Sequence, residues 1–325
     1  MTLRIGLLGA SRIAPRAVIA PANRRDDVTI TAVAARDADK AAAYAAEHGI
    51  AAAVEGYEAL FARDDVDLVY CALPPAAHLD VCLEALSAGK ALLIEKPFAL
   101  NADEASAIAE VSKVAARPAL EAFHYRFHSL FLRALQLVQD GAIGAVREAD
   151  GLFEAPISTA AGELRWVPAL GGGGVMDLGC YVLHALRTLI GTEPTVVEAQ
   201  GELRHGVDAI MDARLAFPGG VAARLRCSML GQRRDELVLR GETGELRLDN
   251  FVSPQNGGKL TLTTAAGVRE ELASGPGSYD AQLAHVVEVF AGRATPLTGG
   301  HDAVANMAAM DAMRLKVGME IMFPA

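Results

Sequence analysis

Tryptophan occurs once in this 325-residue chain and cysteine four times, and positive charge is in deficit. Thirty Lys and Arg against forty Asp and Glu leave a formal net charge of −10. That balance argues against a nucleic-acid surface and against an anionic membrane, both of which need clustered basic side chains. None of Cys71, Cys82, Cys180 and Cys227 has the close spacing of a zinc knuckle or a redox dithiol. A disulfide framework belongs to small secreted domains, so reduced and mostly buried thiols are expected. The start MTLRIGLLGA lacks the basic opening and cleavage site of a signal peptide. No run is expected to reach the ~20 apolar residues that cross a bilayer, and a cytoplasmic location follows as an expectation. Repeats and low-complexity tracts are also missing, and GGGG at 171–174 is too short to be a linker.

What is present is ordinary globular composition, 52% hydrophobic and 22% charged, on a chain longer than one core comfortably supports. Two domains are expected. In roughly the first 120 residues, short apolar runs (RIGLLG, VTITAVAAR, VDLVYCALP, ALLIEKP) alternate with Ala-rich helical patterns. Gly49 and Gly89 stop two of those helices, and Asn101 with Glu104 three residues later makes a capping-box-like start. Strands that alternate with helices predict a parallel sheet with right-handed crossovers, covered on both faces. Residues 195–272 instead hold strand-like runs separated by PGG, GETG and NGG turns, which predicts a largely antiparallel sheet. Helical patterns at 279–291 and 301–322 close the chain.

GLLGASRIA at 6–14 follows the first strand and opens a helix. A dinucleotide fingerprint places glycines at 9, 11 and 14; here those positions are Gly9, Ser11 and Ala14, with Ala10, Arg12 and Ile13 between them, and Ala14 still permits close helix–strand packing. Gly9 makes the tight turn, a small residue at 11 admits a pyrophosphate, and Pro15 suits the first helical turn. The helix N-terminus then offers N–H groups to phosphate. At the end of the second strand, where an NAD-preferring domain usually carries an acid, the chain reads Ala35-Arg36-Asp37. A guanidinium at 36, assisted by Arg12, favours a 2′-phosphate and hence NADP(H) over NAD(H). The alternative is a solvated Arg36 with Asp37 as the ribose ligand in a shifted register.

The fifth run, ALLI, ends in Glu95-Lys96-Pro97. A lysine there lies at the carboxyl edge of the sheet, where ligands of such folds bind, and its ammonium can donate to a substrate oxygen. Lys96-Pro97 is also a place where a cis peptide can occur. The bland alternative is a strand-end salt bridge.

Taken in order, GLLGASRIA, LPPAAHLDVCLEALSAGKALLIEKP, EAFHYRFH and GGGGVMDLGCYVLH resemble the glucose–fructose oxidoreductase/inositol dehydrogenase (Gfo/Idh/MocA) family over nearly the whole chain. The resemblance implies a Rossmann domain paired with an α+β domain built on a large open-faced sheet, often the dimerising surface. It implies NAD(P)-dependent oxidation and reduction of sugars, cyclitols and related hydroxy compounds. Leu73, Pro74, His78, Glu95 and Pro97 would line the cofactor cleft.

The glycine loop at 171–174 leads into a helix on which Asp177, Tyr181 and His184 stand at i, i+4 and i+7, one face of the helix. By the resemblance, Asp177 binds substrate, and the acid/base position, often His, is held here by Tyr181. That substitution is similar to the glucose–fructose oxidoreductase and dihydrodiol dehydrogenase branches. A phenol ionises near pH 10 unperturbed, so Tyr181 needs Lys96 close by to act at neutral pH. His184 is either a second proton carrier or substrate ligand, or a hydrogen-bonded core histidine. His124 and His128 have i, i+4 spacing, yet the segment leaves a strand and no carboxylate pair completes a site, so no metal is expected. Arg126 either orients substrate or pins the two domains. Trp166 either stacks on a sugar ring or fills a core.

The sequence therefore predicts an α/β protein with a doubly wound Rossmann domain at 1–122. A substrate-binding and oligomerisation domain, α+β and mostly antiparallel, follows at 123–325, with the helix at 301–322 able to pack back near the first domain. The expected activity is NADP(H)-dependent interconversion of a hydroxyl and a carbonyl on a sugar, polyol, cyclitol or dihydrodiol. Lys96, Asp177, Tyr181 and His184 form the catalytic set, and Arg126, Trp166 and Asp177 bind substrate. A homodimer or tetramer through the second sheet is expected. The alternative is a catalytically silent dinucleotide-binding sensor or scaffold of the same fold.

Overall fold

The computed structural model describes residues 2–321 and divides the chain into two compact units. The first comprises Met1–Phe123 with Tyr279–Val304, the second His124–Ser278 with the chain from Ala305.

In the first unit, strands β1 (Leu3–Leu8), β2 (Val28–Ala35), β3 (Ala52–Glu55), β4 (Leu68–Cys71), β5 (Ala91–Ile94) and β6 (Ala119–Glu121) form one parallel sheet in the order β3-β2-β1-β4-β5-β6. Every residue of β4 and β5 is buried, as strands covered on both faces require. The order reverses between β1 and β4, so the turns after these two strands flank the switch point where ligands of doubly wound sheets bind. Asn101 caps the helix Ala102–Ala115, its Oδ1 accepting the Glu104 N–H at 2.9 Å.

Besides its N-terminal residues, the first unit takes in Tyr279–Val304. The helix Ser278–Phe290 sends Leu283, Val286, Val287 and Val289 into the hydrophobic core under β1, β2, β4 and β5. Thr298 Oγ1 donates to the Glu121 carbonyl beside β6. The last helix, His301–Lys316, crosses the division, its start to Val304 lying in the first unit and the rest in the second. Residue 322 lies outside the described residues.

The second unit is built on β7 (Val146–Glu154), β8 (Thr195–Arg204), β9 (Val207–Phe217), β10 (Val221–Ser228), β11 (Arg234–Gly241), β12 (Gly244–Asp249), β13 (Lys259–Thr264) and β14 (Gly267–Leu272). Their order is β14-β13-β12-β11-β7-β10-β9-β8, antiparallel throughout except for β7 beside β10. Buried and exposed residues alternate along β9 and β10. Helix Cys180–Ile190 covers the apolar face, and the other face carries ion pairs such as Arg226–Asp212 and Arg214–Glu198. Contrary to the expectation of no membrane-length run, Pro168–Ile190 is long and apolar enough by length and composition. It is 83% buried inside the protein, as a core helix is.

Candidate active site

In the first unit, candidate residues gather at the turn after β1. Gly9 adopts φ +93°, and a Cβ there would stand 2.9 Å from Leu73 Cδ2, so the turn is a cradle that any other side chain would fill. Ser11 Oγ accepts the Ala14 N–H at 3.2 Å, and Tyr44 donates its hydroxyl to the Ser11 carbonyl at 2.9 Å. Burial pushes the Tyr44 phenol up to about 12, so it remains a donor. Pro15 stands at the first position of a π-helical turn, Pro15–Ile19, begun by amide bonds to the Ile13 carbonyl.

At the end of β2 the two sequence alternatives separate. Asp37 Oδ1 accepts the Lys40 N–H at 2.9 Å and caps the helix Ala38–His48. One of its oxygens is thereby engaged, while Asp37, Arg36 and Arg12 are all exposed. An open guanidinium one residue beyond the strand suits a 2′-phosphate, and these residues of the first unit fit a phosphorylated dinucleotide.

His78 stands apart from the cleft-lining role expected of it. It is fully buried, with Nε2 2.9 Å from the Leu73 carbonyl and Nδ1 3.2 Å from that of Phe98. Burial holds the imidazole below its ordinary value, so the neutral ring serves these two acceptors one at a time. It supports the Leu73-Pro74 turn and the segment after Pro97 from beneath. The Lys96–Pro97 peptide is cis. Tyr70 donates to Glu95 Oε1 at 2.5 Å, and burial raises the Glu95 carboxyl against the pull of that bond and of Lys96.

In the second unit, candidate residues centre on one helix. It opens as a π-helical turn, Val175–Gly179, and continues as α-helix Cys180–Ile190. The wider turn contains Asp177 and ends before Tyr181, a local feature that the i, i+4 count does not anticipate. Beneath its start lies Asp208, fully buried, its Oδ2 accepting the Val175 N–H at 2.6 Å. Gly173, at φ +129°, leaves room for it: a Cβ would stand 2.3 Å from Asp208 Oδ1.

Asp177 Oδ2 accepts from Arg165 Nε at 2.6 Å, and Arg165 Nη1 donates to Glu163 at 2.9 Å. Attraction to Asp177 is the largest cause of the raised Arg165 guanidinium. Tyr181, 6% exposed, places its hydroxyl 3.5 Å from His124 Nε2, and the other nitrogen of that ring lies 2.8 Å from Ser278 Oγ. His184 is buried with Nδ1 2.5 Å from the Tyr125 hydroxyl, and the Tyr125 ring also borders Tyr181. His184 is thus a hydrogen-bonded interior histidine.

The paired histidines diverge. His128 Nδ1 accepts the Leu130 N–H and caps the helix Ser129–Gln139, while His124 serves Ser278 and Tyr181. The described residues contain no cluster of three or more His, Cys, Asp or Glu fit for a metal. Arg126 lies over the Phe131 ring, 5.7 Å from its centroid. Trp166 is 8% exposed, its Nε1 donating to the Ser158 carbonyl and its ring edge-on to His205. Sequence reasoning missed Arg165, Asp208 and Ser278, and it weighed His124 only as a metal ligand.

Residues 3–120 match the model of the oxidoreductase family with an NAD-binding Rossmann fold, and residues 131–247 match the GFO/IDH/MocA C-terminal domain. A D-xylose 1-dehydrogenase (NADP(+)) of Haloferax volcanii is 33% identical over 314 residues, 96% of each chain. A dTDP-3,4-didehydro-2,6-dideoxy-α-D-glucose 3-reductase of Streptomyces violaceoruber is 37% identical over 265 residues, 80% of this chain and 76% of that one. Among solved structures, a 3-ketoreductase of Actinomadura kijaniata in complex with NADP and TDP-benzene superposes with a TM-score of 0.90 at 25% identity, covering both chains fully. The chain belongs to the GFO/IDH/MocA family of oxidoreductases.

Proposed function

We propose that this protein is an NADP(H)-dependent oxidoreductase interconverting a hydroxyl and a carbonyl on a sugar or sugar-like substrate. The observation that carries the reading is its likeness, over 96% of the chain, to a D-xylose dehydrogenase named for NADP(+). Nicotinamide, when bound, accepts or supplies the hydride. The Gly9 turn and the following helix N-terminus hold the pyrophosphate, and Arg36 with Arg12 takes the 2′-phosphate. Leu73, Pro74, Glu95 and Pro97 border the cofactor.

Lys96 donates to the reacting oxygen of the substrate and stabilises its developing negative charge. Tyr181 moves the proton, as base in oxidation and acid in reduction. Asp177, oriented by Arg165, accepts from a neighbouring substrate hydroxyl. His184 keeps Tyr125 in place against the Tyr181 ring. Arg126 and Trp166 hold the loops around the sugar. The open face of the second sheet joins a second copy, and a cytoplasmic location keeps the four buried cysteines as free thiols.

Steady-state assays with aldoses, dTDP-ketosugars and trans-dihydrodiols, each with NADP and NAD in both directions, test the reading. Turnover of a sugar-like substrate with preference for NADP is the expected result. Cofactor binding without turnover across the panel overturns it and favours the silent sensor or scaffold. Light scattering of the protein in solution tests the second copy.

A further inference from the structure

A phenol that takes a proton from substrate in each turnover must hand it on before the next. Tyr181 is 6% exposed and walled by the rings of Tyr125 and Phe153, so direct exchange with water is obstructed. Its hydroxyl lies 3.5 Å from a ring nitrogen, His124 Nε2. His124 is itself 3% exposed, and its Nδ1 lies 2.8 Å from the hydroxyl of Ser278, which is fully buried. Ser278 stands at the beginning of its helix, and its N–H points to Oε1 of Gln255, an exposed residue, at 3.4 Å. Phenol, imidazole and hydroxyl thus form a file of groups, each able to give and to accept a proton, running from the helix of Asp177 to the buried hydroxyl of Ser278.

We propose that His124 and Ser278 are the proton relay of Tyr181, a role that rests on the oxidoreductase reading above. In the oxidation direction the Tyr181 O–H bond breaks as its proton passes to His124 Nε2. The Nδ1–H proton of the same ring passes to Ser278 Oγ as the Ser278 hydroxyl gives up its own proton to a water molecule, the final acceptor that this relay requires. The imidazole ends neutral with its proton on the other nitrogen, and reversal of these transfers supplies the proton for reduction. No electron changes place, so no redox partner is needed. His124 touches no substrate in this scheme; it is a positioning residue acting through Tyr181. Of the titratable groups beside the file, the Tyr125 hydroxyl lies 2.5 Å from His184 Nδ1, and the Arg126 guanidinium lies over the Phe131 ring.

The relay is tested on the full chain with His124→Ala, His124→Gln and Ser278→Ala. His124→Ala is expected to lower kcat about 10- to 100-fold with little change in substrate KM, within the range for a proton-transfer contribution. Added imidazole should restore turnover in His124→Ala and not in Ser278→Ala. Independently of activity, ultraviolet difference titration of the free protein, with Tyr181→Phe as blank, should show the Tyr181 phenol ionising at higher pH in His124→Gln. Unchanged kcat in the folded variants overturns the relay. A loss of kcat with no imidazole rescue and an unmoved phenol titration also overturns it, leaving a packing role. If wild type turns nothing over while the phenol titration still depends on His124, the oxidoreductase reading fails and the Tyr181–His124 coupling stands. If wild type is active and His124 is indifferent, the relay alone fails.

Discussion

Asp208 Oδ2 accepts the Val175 N–H at 2.6 Å, fastening the start of the helix that carries Asp177 and Tyr181. A carboxylate in that place is out of keeping with its surroundings. Burial raises it from 3.8 to about 7, against the opposing pull of the Val175 amide and of Arg314. Its Oδ1 has no hydrogen-bond partner among the described residues.

The sign of the pH dependence follows. The unfolded chain releases this proton near 3.8 and the folded chain near 7, so between those values the folded state binds more protons. The group's contribution to stability is therefore fully present below the lower value and lost as pH rises to the upper one. Asp208→Asn keeps an acceptor for Val175 and removes the titration. Thermal unfolding should show the stability of wild type relative to Asp208→Asn falling between about pH 4 and about pH 7 and staying level above that. Parallel curves for the two proteins would show the carboxylate to be ionised throughout.

Arg36 is the place to read cofactor choice. With one Asp37 oxygen engaged in its helix cap, the role proposed for the Arg36 guanidinium is discrimination for a 2′-phosphate. Losing a charge-assisted contact of this kind costs about 1.5–3 kcal/mol, so Arg36→Ala should raise KM for NADP by about tenfold or more. KM for NAD should change little, since NAD has no phosphate there. Equal effects on both cofactors would remove Arg36 from this role.

Much of this arrangement was legible in the residues. Runs buried on both faces, such as Leu68–Cys71 and Ala91–Ile94, read as parallel strands because no polar face interrupts them. The Asn101 cap and the Gly9 turn followed from side-chain chemistry that acts within a few residues. Leu283, Val286 and Val287 announce an amphipathic helix, but periodicity does not say which core receives it. His124 looked like half of a helical pair with His128. A 3₁₀ turn at His124–Phe127 breaks that spacing and sends the two rings to different partners. Arg165 lies in a stretch with neither strand nor helix period, so nothing local pointed to Asp177.

The Arg165–Asp177 pair offers a separation between stability and function. Arg165 is 43% exposed and Asp177 14%, so solvent screens the pair and it contributes about 1 kcal/mol or less to folding. Arg165→Leu should leave the unfolding midpoint nearly unchanged. Without the guanidinium, Asp177 loses the contact that fixes its rotamer. Substrate KM should then rise, by about tenfold for roughly 1.4 kcal/mol of lost positioning, while KM for NADP holds. A large loss of stability with unchanged KM would make the pair a structural brace.

The assignment of Lys96 and Tyr181 to one reaction is open to a thermodynamic cycle. Each alone, as Lys96→Met and Tyr181→Phe, should lower kcat by about 10²–10⁴ if it stabilises or protonates the reacting oxygen. Groups that act as a unit on one transition state are far from additive, because the second substitution removes help that the first has already made useless. The double variant should therefore be little worse than the poorer single one. Multiplying losses would mean that the ammonium and the phenol serve independent steps. Near wild-type turnover in either single variant would remove that residue from the chemistry, whatever the cofactor titration shows.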